Sequence, residues 1–108
     1  MAEAFLRARG CTIVARNFRC RAGEVDLVAL DGPVLVFVEV RSRRGMLVGT
    51  PLESVDGRKQ ARLARVARQF CAARGWLERD ARFDVVGVRF DQDPPAIDYV
   101  PGAFEAGA

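Results

Sequence analysis

Three observations predict an α/β fold. Two adjoining runs rich in Val and Phe, Gly23 to Leu30 and Val34 to Arg41, flank Asp31-Gly32-Pro33; an amphipathic stretch lies between Asp56 and Gly75; and a further apolar run, Arg82 to Phe90, follows it. β-branched and aromatic side chains suit the half-buried surface of a sheet, and turn residues between two such runs mark a hairpin. At 108 residues, 50% hydrophobic and 29% charged, the chain is predicted to form a single domain over 1–108 with one core.

Taken in order, Ala2 to Arg9 is a short helix whose only large apolar groups are Phe5 and Leu6, and Gly10 ends it. Cys11 to Phe18 alternates loosely and reads as a strand. The two runs of the hairpin follow. Ser42 to Thr50 carries two glycines and a cationic cluster, which is the composition of a mobile loop, and Pro51 to Val55 is long enough for one helical turn. Asp56 is a good N-cap and Gly75 a good C-terminal stop, bracketing a helix of about 17 residues. At 100° per residue Leu63, Val66, Ala67 and Phe70 share one stripe, with Arg58, Arg62, Arg65 and Gln69 opposite. Arg82 to Phe90 and a short Ala96 to Val100 are the last strands, and the tail from Pro101 is expected to fray.

Composition excludes several chemistries. There is no histidine, which removes Ser-His-Asp and Cys-His catalysis, HExxH zinc sites and His-based nucleases together. The three cysteines, Cys11, Cys20 and Cys71, are odd in number and form no CxxC pair, so they are expected to be inert packing residues rather than a disulfide framework or a zinc site. No apolar run approaches the roughly 20 residues that span a bilayer, and the start lacks the layout of a secretory signal. The expectation is a cytoplasmic chain with no membrane partner. Arginine supplies sixteen of the seventeen cations, clustered at Arg41, Arg43 and Arg44 and again at Arg58, Lys59, Arg62, Arg65 and Arg68. Guanidinium forks match phosphate geometry, although a solvated face written in arginine explains the same clusters.

The sharper signal is charge inside apolar strands. Glu24, Asp26 and Glu39 stand in hairpin strands that are otherwise hydrophobic, where an unpartnered carboxylate is costly. Alternation puts Glu24 with Asp26 on one face of the first strand, and Leu35, Phe37, Glu39 and Arg41 on one face of the second. Asp26 and Glu39 converge only if paired residue numbers sum to an odd value. A two-residue turn at Asp31-Gly32 makes them diagonal neighbours, a four-residue loop pairs them directly, and a three-residue loop sends them to opposite faces. Two convergent carboxylates form a hard-oxygen site suited to Mg²⁺ or Mn²⁺ and to metal-assisted phosphodiester hydrolysis. The competing arrangement is structural, with Glu39 paired to Arg41 or Asp26 to Lys59. Lys59 lies on the apolar stripe, four residues before Leu63; it either points inward from the start of the helix or snorkels at the stripe's end.

Asp26, twelve residues, then Glu39-Val40-Arg41 resembles the PD-(D/E)XK nuclease pattern. Over Phe5 to Val100, the segments GxTIVARNFRCRAGEVDLVALDG, VFVEVRSR, GTPLESVDGRKQARL and RFDVVGV, in that order, are similar to the YraN-like family of small bacterial proteins, predicted endonucleases distantly similar to archaeal Holliday junction resolvases. The resemblance implies a restriction-endonuclease-like α/β fold with a central mixed β-sheet flanked by helices, divalent-metal dependence and a structured or branched DNA as partner. A homodimer is compatible with it. Asp26 and Glu39 match the metal-binding acids, Glu24 the acid of the GE(I/V)D motif, and Lys59-Gln60 the RKQ segment. The nuclease pattern has lysine where this chain has Arg41, which hardly ever yields a proton, so Lys59 is the alternative for that role. Relatives carry a longer first helix with a further glutamate, so the first helix is expected to be truncated. The reading is therefore a metal-dependent endonuclease. Asp26, Glu39, Arg41 and Lys59 are its catalytic residues, Glu24 supports the metal through water, and Arg43, Arg44, Arg58, Arg62 and Arg65 are its nucleic-acid contacts. A binding module of the same fold without cleavage, and a structural partner protein, are the alternatives.

Overall fold

Seven elements follow one another in the computed structural model, which describes residues 1–43 and 55–104. They are α1 (Ala2–Ala8), β1 (Thr12–Cys20), β2 (Gly23–Asp31), β3 (Val34–Arg43), α2 (Gly57–Arg74), β4 (Ala81–Arg89) and β5 (Ala96–Phe104). The strands form one mixed sheet in the order β1-β2-β3-β4-β5. Only β3 and β4 run parallel, and α2 makes the crossover between them; every other neighbouring pair is antiparallel. This five-stranded sheet with two helices is an α/β fold consistent with a restriction-endonuclease-like architecture. No helix among the described residues is long and apolar enough to cross a membrane.

Each helix covers one face. On the α2 side, Leu63, Val66, Ala67, Phe70 and Cys71 pack on Val28, Leu35, Phe37, Phe83 and Val85. The predicted stripe is thus the buried one. Aromatic rings run in contact across the layer: Phe18 meets Phe70 at 5.0 Å between centroids, Phe70 meets Phe37 at 5.7 Å, Phe37 meets Phe83 at 5.6 Å and Phe83 meets Phe104 at 4.8 Å. On the other face, Ala2 and Leu6 of α1 cover Leu27, Ala29, Val36, Val38, Val86 and Val88. Glu3 ties α1 to β1 through Arg16, whose Nε lies 2.5 Å from Oε1. The bracket around α2 holds as read: the Asp56 side chain accepts the Lys59 backbone N–H at 3.0 Å, and Gly75 takes the left-handed conformation at φ 72°. Cys11, Cys20 and Cys71 are all free, with Cys11 and Cys71 buried.

The structure departs from the sequence reading in four places. β1 extends to Cys20, because its ladder with β2 runs on to the Cys20–Gly23 pair. β3 continues through Ser42 and Arg43, which pair with Val88 and Arg89 of β4, where the sequence reading had placed the start of a loop. The rest of it, together with Arg44 and the turn expected at Pro51 to Val55, lies outside the described residues except for Val55. The tail from Pro101 does not fray up to Phe104: a register shift opposite Asp84 lets Pro101-Gly102 bulge, and the Phe104 ring then stacks on Phe83. The hairpin between β2 and β3 turns at Gly32-Pro33, with Asp31 opposite Val34. Gly32 has φ 59°, and the fixed negative φ of proline after it gives a type II′ turn one residue later than the Asp31-Gly32 turn considered from sequence.

Candidate functional site

That register has one chemical consequence. Pairs in the β2–β3 ladder sum to 65 as far as Leu27–Val38, and Asp26 and Glu39 are the next residues of their strands beyond that last pair. Leu35 and Phe37 point toward α2, and alternation carries Glu39 and Arg41 to the same side. The Asp26 carboxylate accepts the Val40 backbone N–H at 2.7 Å, which fixes its orientation. The two acids are close enough for Asp26 to raise the Glu39 carboxyl. They line a cleft of about 350 Å³ with Gly23, Glu24, Val40, Arg41, Lys59 and Arg62, at the carboxyl end of β3 and against the first turns of α2. In open α/β sheets this is where ligands bind.

Burial, followed by the neighbouring Asp26, pushes the Glu39 carboxyl up to about 7; the charges of Arg41 and Lys59 draw it back only in part. The nearest Arg41 nitrogen is 3.7 Å from Glu39 Oε2, an ion pair beyond hydrogen-bond reach, and the Glu39 side chain is 12% exposed. A carboxyl raised from 4.5 to about 7 keeps its proton in the folded chain after the unfolded chain has lost it. Its contribution to stability is therefore complete below pH 4.5 and declines as pH rises through 7, by about 3 kcal/mol at most. Denaturant titrations between pH 4 and 9 are expected to show this decline in the wild type and its loss in Glu39→Gln. An equal decline in both would assign the proton to another group.

The remaining sequence candidates separate. Lys59 is half-buried and faces the cleft, the inward of its two orientations. Arg62 is exposed, as its place opposite the buried stripe predicts, and it also lines the cleft, because three residues beyond Lys59 it is that residue's neighbour along the helix. Arg58 and Arg65 are exposed on α2 and do not line the cleft. Glu24 reaches the rim, where the Arg19 Nε donates to it at 2.5 Å across the β1–β2 ladder. Among the described residues no three carboxylate or thiol groups converge as a metal cluster. The simple alternation expected for Glu24 and Asp26 is interrupted. Val25 and Val28 belong to the α2-side core while Leu27 belongs to the other, and Asn17, in the β1 stretch across from this switch, has φ 49°. Gln60, matched to a motif, donates its side-chain N–H to the Val55 carbonyl at 3.0 Å and closes the approach to the helix. Arg43 is in β3, and Arg44 lies outside the described residues.

Sequence reasoning missed a second charged cluster on the α1 face. Asp84, 1% exposed, accepts from Tyr99 Oη at 2.5 Å, from the Gly102 N–H at 2.9 Å and from Arg82 Nε at 3.1 Å. Arg82 also donates to Asp31 at 2.8 Å. The bond to Asp84 holds Arg82 above its ordinary value, and burial, with Asp84 second, pushes Tyr99 up to about 12. An aspartate inside the apolar run Arg82 to Phe90 is the same signal that marked Asp26 and Glu39. Here every member has a partner, which makes the cluster a structural network.

The chain is similar to many bacterial proteins. A "UPF0102 protein" of Moorella thermoacetica is 46% identical over 105 residues, covering 95% of this chain and 88% of that one. One from Pseudomonas aeruginosa is 47% identical over 109 aligned residues, covering 98% and 87%. One from Symbiobacterium thermophilum is 55% identical over 87 residues, covering 81% and 74%. Among solved structures, "The structure of Pyrococcus Furiosus SfsA in complex with Ca2+" is 14% identical with a TM-score of 0.38; the match covers 93% of this chain and spans 57% of that one. The model of the family described as "Uncharacterised protein family UPF0102" matches residues 1–88, and the chain belongs to that family, the YraN family of the sequence resemblance.

Proposed function

We propose that this protein is a metal-dependent endonuclease acting on structured or branched DNA by phosphodiester hydrolysis. The observation that carries the reading is the pairing of Asp26 and Glu39 in a cleft that also holds Arg41, Lys59 and Arg62. Two adjacent carboxylates repel, and a divalent cation is the partner whose charge and hardness suit them. Asp26 and Glu39 would hold Mg²⁺ or Mn²⁺, with Glu24 supporting it from the rim through water. Bound there, the ion would supply Lewis-acid neutralisation of a phosphate oxygen and acidify a water molecule. The Val40 N–H orients Asp26 for that task. Arg41 stabilises charge developing on the phosphate, and Lys59, the only lysine of the chain, is the cleft cation able to exchange a proton. Arg58 and Arg65, with Arg43 and Arg44, contact the DNA backbone.

Arg41 in place of the usual lysine favours a second reading, a module of the same fold that binds structured DNA without cutting it. Calorimetric titration with Mn²⁺ tests the first. Wild type is expected to bind one equivalent, more tightly as pH rises through 7 because the ion competes with the Glu39 proton. No heat of binding in wild type at pH 8 would sink the metal site. Binding without cleavage of a four-way junction would select the second reading.

A further inference from the structure

Arg62 differs from the arginines that hold acids around this sheet. Arg7, Arg16, Arg19, Arg82 and Arg89 each lie within ion-pair distance of an acid. Arg62, among the described residues, has neither hydrogen bond nor ion pair, although it lines a cleft that holds three carboxylates. Its position is set by something else. Gly23, at the start of β2, has φ 142°, and a Cβ built on it would lie 3.0 Å from Arg62 Cδ, 3.3 Å from Cγ and 3.5 Å from Nε. The stem of Arg62 therefore rests on the bare backbone of Gly23, on ground that any side chain at position 23 would occupy.

We infer that Arg62 is the phosphate clamp of the cleft and that Gly23 is the positioning residue that seats it. The inference rests on the cleft being a phosphodiester site and adds how the strand is held there. A stem lying along backbone loses little further freedom when the guanidinium engages an anion, and the planar fork can grip two oxygens of one phosphate. Residue 23 is then glycine for two separable reasons. Its positive φ is strained for a side chain, and its missing Cβ leaves the seat open.

A double-mutant cycle separates these reasons, read as affinity for a labelled four-way DNA junction in Ca²⁺ with folding checked by circular dichroism. Arg62→Ala is expected to weaken binding about tenfold and to make the salt dependence shallower by roughly one counterion. Arg62→Lys should restore the salt slope but only part of the affinity, because the charge returns without the fork. Gly23→Ala should weaken binding as much as Arg62→Ala, and the double variant no more than either. Additive losses would overturn the seat and leave Gly23 as a turn residue. Unchanged affinity and slope in Arg62→Ala would overturn the clamp, whether or not Gly23→Ala folds. If wild type binds normally in that case, the nuclease reading stands; if wild type binds no DNA, both fall.

Discussion

Asp26→Asn and Glu39→Gln should each lower Mg²⁺- or Mn²⁺-dependent DNA cleavage by about a thousandfold or more, while leaving the protein folded and, at pH 8, as stable as wild type or more so. The loss follows from removing one of the two acids proposed to hold the ion. The gain follows from removing a charge that burial, and then the neighbouring acid, disfavour, the causes that push Glu39 up to about 7. Asparagine is the better choice at position 26, since its side-chain carbonyl can still accept the Val40 N–H. Single-turnover cleavage of a junction and thermal denaturation of the same preparations provide the two readings. Undiminished cleavage by either variant would place the chemistry elsewhere, and a large fall in stability would make the pair a structural element.

The largest effect on stability is expected on the opposite face. Asp84→Ala should cost about 3–5 kcal/mol, because it leaves Arg82 with Asp31 as its one remaining carboxylate partner and removes the acceptor of Tyr99 Oη and of the Gly102 N–H. For a domain stabilised by about 5–15 kcal/mol this is a large share, and the β5 bulge at Pro101-Gly102 should open first. Asp98→Ala, which breaks a more exposed pair with Arg89, should cost about 1 kcal/mol or less. Urea denaturation of the two variants checks the contrast, and similar losses would mean that the Asp84 network carries no special weight.

What the sequence made legible was local. Asp56 and Gly75 declared the ends of α2 through cap chemistry, and the stripe of Leu63, Val66, Ala67 and Phe70 declared its buried side, so the phase of Lys59 could be read before any coordinates. Asp26 and Glu39 stood out as charges in apolar strands, and parity limited their relation to two useful registers. The register itself depended on which two residues make the turn; Gly32-Pro33 suits type II′ as well as Asp31-Gly32 suits type I′, and composition does not rank them. Illegible features need contacts between distant segments. Arg82, Asp84, Tyr99, Gly102 and Asp31 come from three strands, and the β5 bulge that unites them looks like a chain end in sequence. The meeting of Gly23 with Arg62 is of the same kind, since a glycine before a strand reads as a turn until a helix arrives beside it.

Trp76, the single tryptophan, packs beyond the C-terminus of α2 against Phe70, with the guanidiniums of Arg74 and Arg79 over its ring at 5.4 and 4.5 Å. The cleft is at the other end of that helix, roughly 20 Å or more away at 1.5 Å per residue. Indole emission in this protein is therefore an optical label for the core alone. It should shift to longer wavelength on unfolding and stay silent when cations or DNA fill the cleft, so binding and folding can be followed in one cuvette without a dye.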